Sequence, residues 1–192
     1  MSVSLFVLPL NIIQYMSRIW LDPKDISLLR ATCRYMRTNL RDEAKIYRTD
    51  SEIEILFRAC RYNHMDIAQY IFKYCPSPSN NINTALETAC IWNQLEMAKW
   101  CKSNGATRFN WPMYHACKRG HLEIAKWCAS EGATDFNWSM ASACSSGYLE
   151  IAQWCASMGA TNFGEALKYI PKDHTDVIEW LEQQISKKRK LK

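Results

Sequence analysis

Nine cysteines are the most reactive side chains of this 192-residue chain, and their spacing decides which chemistry they could perform. Structural zinc ligands usually include a Cys-x-x-Cys pair, and no such pair occurs in the sequence. Six of the cysteines instead recur at intervals of 27 residues, in two series. This placement predicts small buried thiols in a repeated unit, with few pairs close enough to bridge without strain. The series are Cys90, Cys117, Cys144 and Cys101, Cys128, Cys155.

The four histidines add no catalytic or metal-binding pattern to the cysteines. His64 and His121 follow predicted turns at equivalent positions, where a polar hydrogen bond between neighbouring units is the expected role. His115 lies on the predicted surface of a helix, and His174 lies in an irregular final stretch. The sequence also holds no nucleophile motif, phosphate-binding loop or metal-ligand constellation. We therefore expect no enzymatic activity, no cofactor and no bound metal.

The 27-residue interval extends to tryptophan and glycine, so it describes a whole region of the chain. A fixed period of this length indicates stacked supersecondary units, each too small to bury a core alone. We count four clear units and one degenerate unit, with a Pro/Ser/Asn loop from Pro76 to Asn83 enlarging the first. The units are 57–86, 87–113, 114–140, 141–167 and 168–184. The recurring residues are Trp100, Trp127, Trp154 and Gly105, Gly132, Gly159.

Each unit has the pattern of two short helices joined by a tight turn. The turn residue is Gly120 in the clearest unit, and its equivalents are Gly147, Asn93 and Asn63. Glycine and asparagine best tolerate a positive φ, so a left-handed turn is predicted at all four positions. The apolar positions follow helical spacing on either side of this turn. They are Met113, Ala116 and Cys117 in the first helix and Leu122, Ala125 and Cys128 in the second.

These units are similar to a known repeat. Trp111-Pro-Met-Tyr-His-Ala-Cys117, followed by Gly120-His-Leu-Glu-Ile-Ala-Lys126, resembles the ankyrin repeat with its Thr-Pro-Leu-His-x-Ala and Gly-His-Leu-Glu motifs. The resemblance covers about residues 52–184 and implies a curved stack of helix pairs that binds protein partners. The period is shorter than the roughly 33 residues of ankyrin, so the projecting hairpin must be shortened or missing. Trp111 stands where a capping threonine is usual, and Asn110 or Asn137 is expected to cap instead.

The turn positions are the predicted contact sites for an unknown target protein. Trp92 does not follow the tryptophan register, since its counterparts in other units include Tyr62 and Arg119. Variation at one exposed position of a repeated unit is typical of a binding residue. We add His115, on the first-helix surface, and Tyr148, after the turn, to this candidate set.

Residues 1–45 do not repeat, and they resemble an F-box. An apolar helix pattern follows Leu8-Pro9, and Asp22-Pro23 then gives a strong start for a second helix. The departures from the F-box pattern are Asn11, Thr32 and Met36, and a helical cap on the repeats is the alternative interpretation. The matching segments are Leu8-Pro9, Ile12, Ile13, Met16, Leu21-Asp22-Pro23-Lys24-Asp25-Ile26, Leu29 and Thr32-Cys33-Arg34-Tyr35-Met36.

The F-box resemblance implies an adaptor that docks a Skp-type protein of a cullin ubiquitin ligase, with the repeats selecting a target. An F-box ahead of short Trp-Cys ankyrin-like units resembles proteins of amoebae and of their large DNA viruses, which implies redirection of host ubiquitination. The alternatives are a plain ankyrin-type binder without a ubiquitin role and a nuclear-targeted binder that acts through its basic tail. The implied adaptor-binding residues are Leu8, Pro9, Ile12, Ile13, Met16, Leu21, Ile26, Leu29 and Met36.

The two resemblances predict an all-α chain with an F-box-like domain at 1–45, ankyrin-like repeats at 46–184 and a basic tail at 185–192. Net charge is +5, and five cations lie in the tail, so the rest of the chain is near neutral and nucleic-acid binding is not favoured. No signal peptide or transmembrane span is recognised. We expect a cytoplasmic or nuclear monomer. The nuclear-import-like residues are Lys187, Lys188, Arg189 and Lys190.

Overall fold

A computed structural model describes residues 52–74 and 81–190 of this chain. This part is α-helical and contains no β-strand, so the predicted all-α class is confirmed for these residues. The F-box-like segment 1–45, and with it every predicted adaptor-binding residue, lies outside the described residues. The chain divides into two compact units, Met1–Asn81 and Ile82–Lys192, which are described separately.

The described part of the first unit is a single helix pair. Helix α1 spans Glu52–Tyr62 and helix α2 spans Met65–Tyr74, and the two pack on each other. Asn63 joins them with φ of 59°, which is the left-handed turn predicted at this position. The buried side chains of the pair are Leu56, Ala59, Cys60, Ala68 and Ile71.

The second unit contains four successive helix pairs within residues 82–190. The first helices of the pairs pack side by side in chain order, and each second helix packs on its own first helix. The first helices are α3 Ile82–Ile91, α5 Asn110–Arg119, α7 Phe136–Ser145 and α9 Phe163–Leu167. The second helices are α4 Leu95–Ser103, α6 Leu122–Ser130, α8 Leu149–Ser157 and α10 Thr175–Lys190.

The core of each pair follows the apolar spacing of its sequence. In α5 the buried face includes Met113, Ala116 and Cys117, and Pro112 is buried in the first turn. Proline, which has no backbone N–H, is tolerated there because the N–H groups of the first turn have no helical partner in any case. In α6 the fully buried residues are Ile124, Ala125 and Cys128, whereas Leu122 is only half-buried.

The turns between paired helices adopt the predicted left-handed conformation. The φ angle is 58° at Asn93, 82° at Gly120 and 78° at Gly147. At Gly120 the backbone N–H groups that follow the helix reach back to the carbonyls of Ala116 and Cys117. The short turn thereby satisfies backbone groups that a helix end would leave open, as in a Schellman-type end.

Asn110 and Asn137 do not cap their helices, so that prediction is wrong. Phe109 and Asp135 occupy the capping positions, and neither makes a side-chain cap hydrogen bond. The Asn110 Oδ1 atom instead accepts hydrogen bonds from the backbone N–H groups of Thr134 and Asp135, at 2.7 and 3.3 Å, in the link before α7. The residues used are 24 and 25 positions downstream, which periodicity within one helix could not reveal.

The same hydrogen bonds recur one unit before and one unit after Asn110, and we call the set the asparagine ladder. Asn83 Oδ1 accepts from the N–H groups of residues 107 and 108, at 2.9 and 3.0 Å. Asn137 Oδ1 accepts from those of residues 161 and 162, at 2.8 and 3.1 Å. Each rung, meaning one asparagine and the two N–H groups that it accepts from, therefore connects a first helix to the link that precedes the next first helix. The fourth equivalent position is Gly164, which has no side chain to continue the ladder.

The tryptophans of the 27-residue register have the structural role that their periodicity suggested. In the second helices α6, α8 and α10, each indole meets edge-to-face a phenylalanine at the start of the first helix of its own pair. Such an arrangement adds to the apolar burial of both rings. The ring pairs are Phe109–Trp127, Phe136–Trp154 and Phe163–Trp180, with centroids 5.7, 5.9 and 5.8 Å apart.

Most of the predicted basic tail belongs to the last helix, because α10 continues through Lys190. The side chains of residues 186–190 are exposed, and the Lys188 Nζ atom donates a hydrogen bond to the Thr161 carbonyl oxygen at 3.3 Å. Whether these cations direct nuclear import stays a prediction. Among the described residues, no helix is both long enough and apolar enough to cross a membrane.

Candidate protein-binding surface

The cysteines of the described residues lie in the core, as their spacing predicted. Seven of them are buried as reduced thiols: Cys60, Cys90, Cys101, Cys117, Cys128, Cys144 and Cys155. Two pairs approach more closely than the spacing suggested, since the Cys90 and Cys128 sulfur atoms lie 4.0 Å apart and the Cys117 and Cys155 sulfur atoms also lie 4.0 Å apart. Each pair joins the first helix of one unit to the second helix of the next.

The environment of Cys90 and Cys144 disfavours the reactive thiolate. A hydrogen bond with Cys128 and burial together raise the pKa of Cys90 well above its ordinary value. Burial raises the pKa of Cys144 to about 12. Because the thiolate is the nucleophile and the metal ligand, thiols of this kind behave as packing groups. Within residues 52–74 and 81–190, no group of three or more His, Cys, Asp or Glu residues is arranged to hold a metal ion.

Three of the predicted target-binding residues form a row along successive turns. Trp92 and Tyr148 are 38 % and 39 % exposed. The Arg119 guanidinium lies 5.7 Å from the centre of the Trp92 ring, within the range of a cation–π contact. The Tyr148 ring covers Gly120, the residue that follows Arg119. The structure therefore brings Trp92, Arg119 and Tyr148 together, and we call them the turn row.

Tyr62, the fourth predicted contact residue, belongs to the first unit. It ends helix α1 at the equivalent turn, and its side chain is exposed. The Arg61 guanidinium lies 5.3 Å from the centre of its ring. The Tyr62 and His64 rings are 6.2 Å apart and tilted by 35°.

His115, the fifth, is half-buried and bound to a neighbouring helix. Its Nε2 atom lies 3.2 Å from the Glu87 carboxylate on α3. Burial lowers the pKa of His115, and the Glu87 charge opposes that shift only in part. His121 makes the expected bond between units, since its Nε2 atom lies 3.2 Å from the Ile91 carbonyl oxygen. Burial lowers the pKa of His121 as well.

These two histidines predict that the protein loses stability as the solution becomes acidic. A pKa lowered in the folded state means that the folded protein prefers the neutral imidazole. The contribution is fully present above the ordinary histidine pKa of 6.5 and is lost as the pH falls through the folded-state value. Chemical denaturation between about pH 7.5 and 5.5 should show a falling free energy of unfolding, above the range in which most carboxylates titrate.

Substitution of Glu87 supplies a check with a definite sign. Glu87→Gln removes the charge that raises the pKa of His115, so the fall in stability with acidification should become steeper. A His115→Gln variant should make it shallower. A profile that is flat in the wild type, or shallower in Glu87→Gln, would contradict this account.

The sequence reasoning missed the two most exposed indoles of the first helices. Trp111 on α5 is 56 % exposed and Trp138 on α7 is 72 % exposed. They occupy the same register position, 27 residues apart, and the corresponding residue of α3 is Thr84. The sequence contained a sign of this difference. Trp111 and Trp138 occupy a different position of the 27-residue unit from Trp127, which belongs to the series of tryptophans that pack against phenylalanine.

The indoles lie beside further aromatic and basic side chains on α5. The rings of Trp111 and Tyr114 are stacked, with centroids 4.9 Å apart and planes 8° apart. Lys118 and Arg119, in the last turn of α5, are exposed. We call Trp111, Tyr114, Lys118, Arg119 and Trp138 the tryptophan face. This surface can offer apolar contact area and positive charge to a binding partner.

A scan against models of known protein families finds no match to this chain, and a search of curated proteins finds no significant match. The ankyrin and F-box resemblances therefore rest on the residues that carry their motifs.

Proposed function

We propose that this chain is a non-enzymatic recruiting adaptor. Its helix pairs, taken as a shortened ankyrin-like solenoid, bind a target protein, and residues 1–45, taken as an F-box, dock a Skp-type adaptor of a cullin ubiquitin ligase. The observation that carries target binding is the exposure of large aromatic side chains on one helix pair after another, at the tryptophan face and the turn row. Exposed aromatic and arginine side chains of this kind are enriched where proteins bind proteins.

Support for the adaptor half comes from sequence. Leu8-Pro9 precedes an apolar helix pattern that includes Ile12, and the F-box resemblance assigns these residues to the adaptor interface. Such an interface would be anchored by a few central apolar side chains. The helical-cap alternative would bury the same residues against the repeats.

Substitution of Ile12 by glutamate tests the adaptor half. An unpaired charge buried at an interface costs several kcal/mol, so binding of a purified Skp-type adaptor should weaken by at least about 100-fold. Leu8→Ala combined with Pro9→Ala should weaken it to a smaller degree. Tyr169→Glu is the matched control, because Tyr169 is 75 % exposed on the last unit and the same charge there should leave adaptor binding unchanged.

Thermal unfolding of the same variants separates the two interpretations. An F-box predicts lost adaptor binding with an unchanged melting temperature in Ile12→Glu. The helical cap predicts no adaptor binding by the wild type and a clear loss of thermal stability in the variants. The second pattern would leave a plain protein-binding repeat without a ubiquitin role.

A further inference from the structure

The two exposed tryptophans lie on neighbouring helices and point to a single binding surface. Helices α5 and α7 pack side by side, and packed helices have axes about 8–10 Å apart. Trp111 and Trp138 hold the same position on these two helices, so comparable backbone positions of the two residues lie about this far apart. A chain extended in the polyproline II conformation has three residues per turn and advances about 3.1 Å per residue, so side chains three residues apart lie on one face and match the spacing of the two indoles.

Trp111 is held in place before any partner arrives. Its ring stacks on Tyr114 and meets the His115 ring edge-to-face at 5.1 Å, with planes 89° apart. His115 is fixed in turn by the Glu87 carboxylate on α3. An aromatic side chain already ordered by its neighbours loses little conformational freedom on binding, which favours its use as an anchor.

Helix α7 leaves room beside these aromatic rings. At the register positions of Tyr114 and Lys118 on α5, helix α7 carries Ala141 and Ser145. The surface is therefore lower on the α7 side, after Trp138, than on the α5 side. A chain crossing from α7 to α5 can pack against Trp138 and then against the stacked pair of Trp111 and Tyr114.

The charge around this surface selects the partner. Neither Lys118 nor Arg119 forms an ion pair within residues 52–74 and 81–190. The four first helices of the second unit carry only two carboxylates: Glu165 forms an ion pair with Lys168, and Glu87 lies 3.2 Å from the Nε2 atom of the half-buried His115. Asp135 lies in the link before α7, three residues from Trp138 and at the opposite end of the first helices from Lys118 and Arg119.

The second helices show the contrasting arrangement. Glu96 and Glu123 are each paired with a lysine three residues later, Lys99 and Lys126, so the charge along α4 and α6 is locally balanced. Unpaired positive charge therefore accompanies the exposed indoles on α5 and is not found on the described second helices α4 and α6, whose lysines are all paired. The last second helix, α10, differs in that its final turn carries four exposed cations of its own.

We propose that the tryptophan face binds an extended acidic segment of the target protein, with two apolar or aromatic side chains three residues apart over Trp138 and Trp111 and carboxylates at Lys118 and Arg119. This assignment rests on the proposed target-binding function and names its partner class. A second copy of this chain is disfavoured as the occupant, because a two-fold contact through this face would bring Lys118 and Arg119 of the two copies against each other.

Three pools of labelled twelve-residue synthetic peptides test the proposal with the full-length protein. All pools carry two aromatic residues three positions apart, and the remaining positions are Asp, Glu, Gly and Ser, or Lys, Arg, Gly and Ser, or only Gly and Ser. Fluorescence anisotropy should show that the acidic pool binds at least about tenfold more tightly than either other pool, with an affinity that falls as salt is added. Trp111→Ala combined with Trp138→Ala should weaken this binding by at least about 30-fold.

Charge reversals with a matched control complete the test. Lys118→Glu combined with Arg119→Glu should abolish the preference for the acidic pool, whereas Lys99→Glu combined with Lys126→Glu makes the same change in net charge on the second helices and should preserve it.

Preference for the basic pool, or acidic-pool binding that survives loss of both tryptophans, would overturn the tryptophan face and leave target binding elsewhere intact. Failure of every pool to bind at millimolar concentration would likewise overturn the tryptophan face and leave target binding elsewhere intact. A dimer that becomes monomeric on loss of the tryptophans, measured by sedimentation, would assign the face to a second copy instead.

Discussion

Replacement of Met113 by alanine is expected to lower the free energy of unfolding by about 2–5 kcal/mol. Met113 is fully buried on the inner face of α5, the helix that packs on both neighbouring first helices as well as on α6. Truncation removes the transfer free energy of the lost atoms and leaves a cavity that the packed helices can fill only in part. Chemical denaturation followed by circular dichroism measures the change directly.

Trp111→Ala is the matched control for this substitution. Trp111 lies two residues away on the same helix, and it is the larger side chain, but it is 56 % exposed. Its loss should change the free energy of unfolding by less than about 1 kcal/mol, since most surface substitutions have small effects. Met113→Ala and Trp111→Ala therefore distinguish a side chain that stabilises the fold from one that is assigned to partner binding. Equal losses of stability in the two variants would mean that the indole contributes to the fold and would weaken its assignment to a partner.

Gly120→Ala is expected to destabilise the protein by about 2–4 kcal/mol, because two costs coincide at this turn. The φ angle of 82° lies in the left-handed region, which costs an ordinary side chain about 1–2 kcal/mol. A Cβ atom at this position would also lie 2.6 Å from the Cε1 atom of Tyr148, so the ring must move off the turn. Such displacement of a packed side chain typically adds about 1–3 kcal/mol. The free energy of unfolding from urea titration is the appropriate measurement.

Gly132→Ala isolates the backbone part of that cost. Gly132 has φ of 102°, but a Cβ atom there meets no other atom within 4 Å. This variant should therefore lose less stability than Gly120→Ala. In a Tyr148→Ala background, Gly120→Ala should cost about as much as Gly132→Ala does in the wild type. Equal costs for the two glycine variants in the wild type would show that the Tyr148 ring yields freely.

Much of the fold was predictable because the repeat imposes the same local rules several times. Apolar spacing identified the buried faces of α5 and α6. The restriction of one repeat position to glycine or asparagine identified Asn93 and Gly120 as left-handed turns. Both signals depend only on residues close in sequence. The asparagine ladder was not predictable in this way, because Asn110 bonds a segment 24 and 25 residues downstream and a capping role fitted its local position equally well.

The candidate surface was predictable only in part, for a different reason. Trp92, Arg119 and Tyr148 were recognised because they interrupt the repeat, and the structure places them in one row. Trp111 and Trp138 escaped notice because they recur in two consecutive units, and recurrence in this chain usually accompanies burial, as at Cys117. Exposure depends on which side of a helix its neighbours cover, and that follows from packing rather than from spacing.

The asparagine ladder bears on how such a chain can change its length. Each rung has its acceptor in one unit and its two donors in the next, so any 27-residue segment carries the donors for the unit before it and the acceptor for the unit after it. A tandem duplication of one such segment therefore inherits a complete set of hydrogen bonds at both new junctions. Gly164 breaks the series and cannot serve a further unit. Duplication of whole 27-residue segments between Asn83 and Asn162 is thus compatible with this hydrogen bonding. The last helix pair, which carries Gly164, lacks the acceptor.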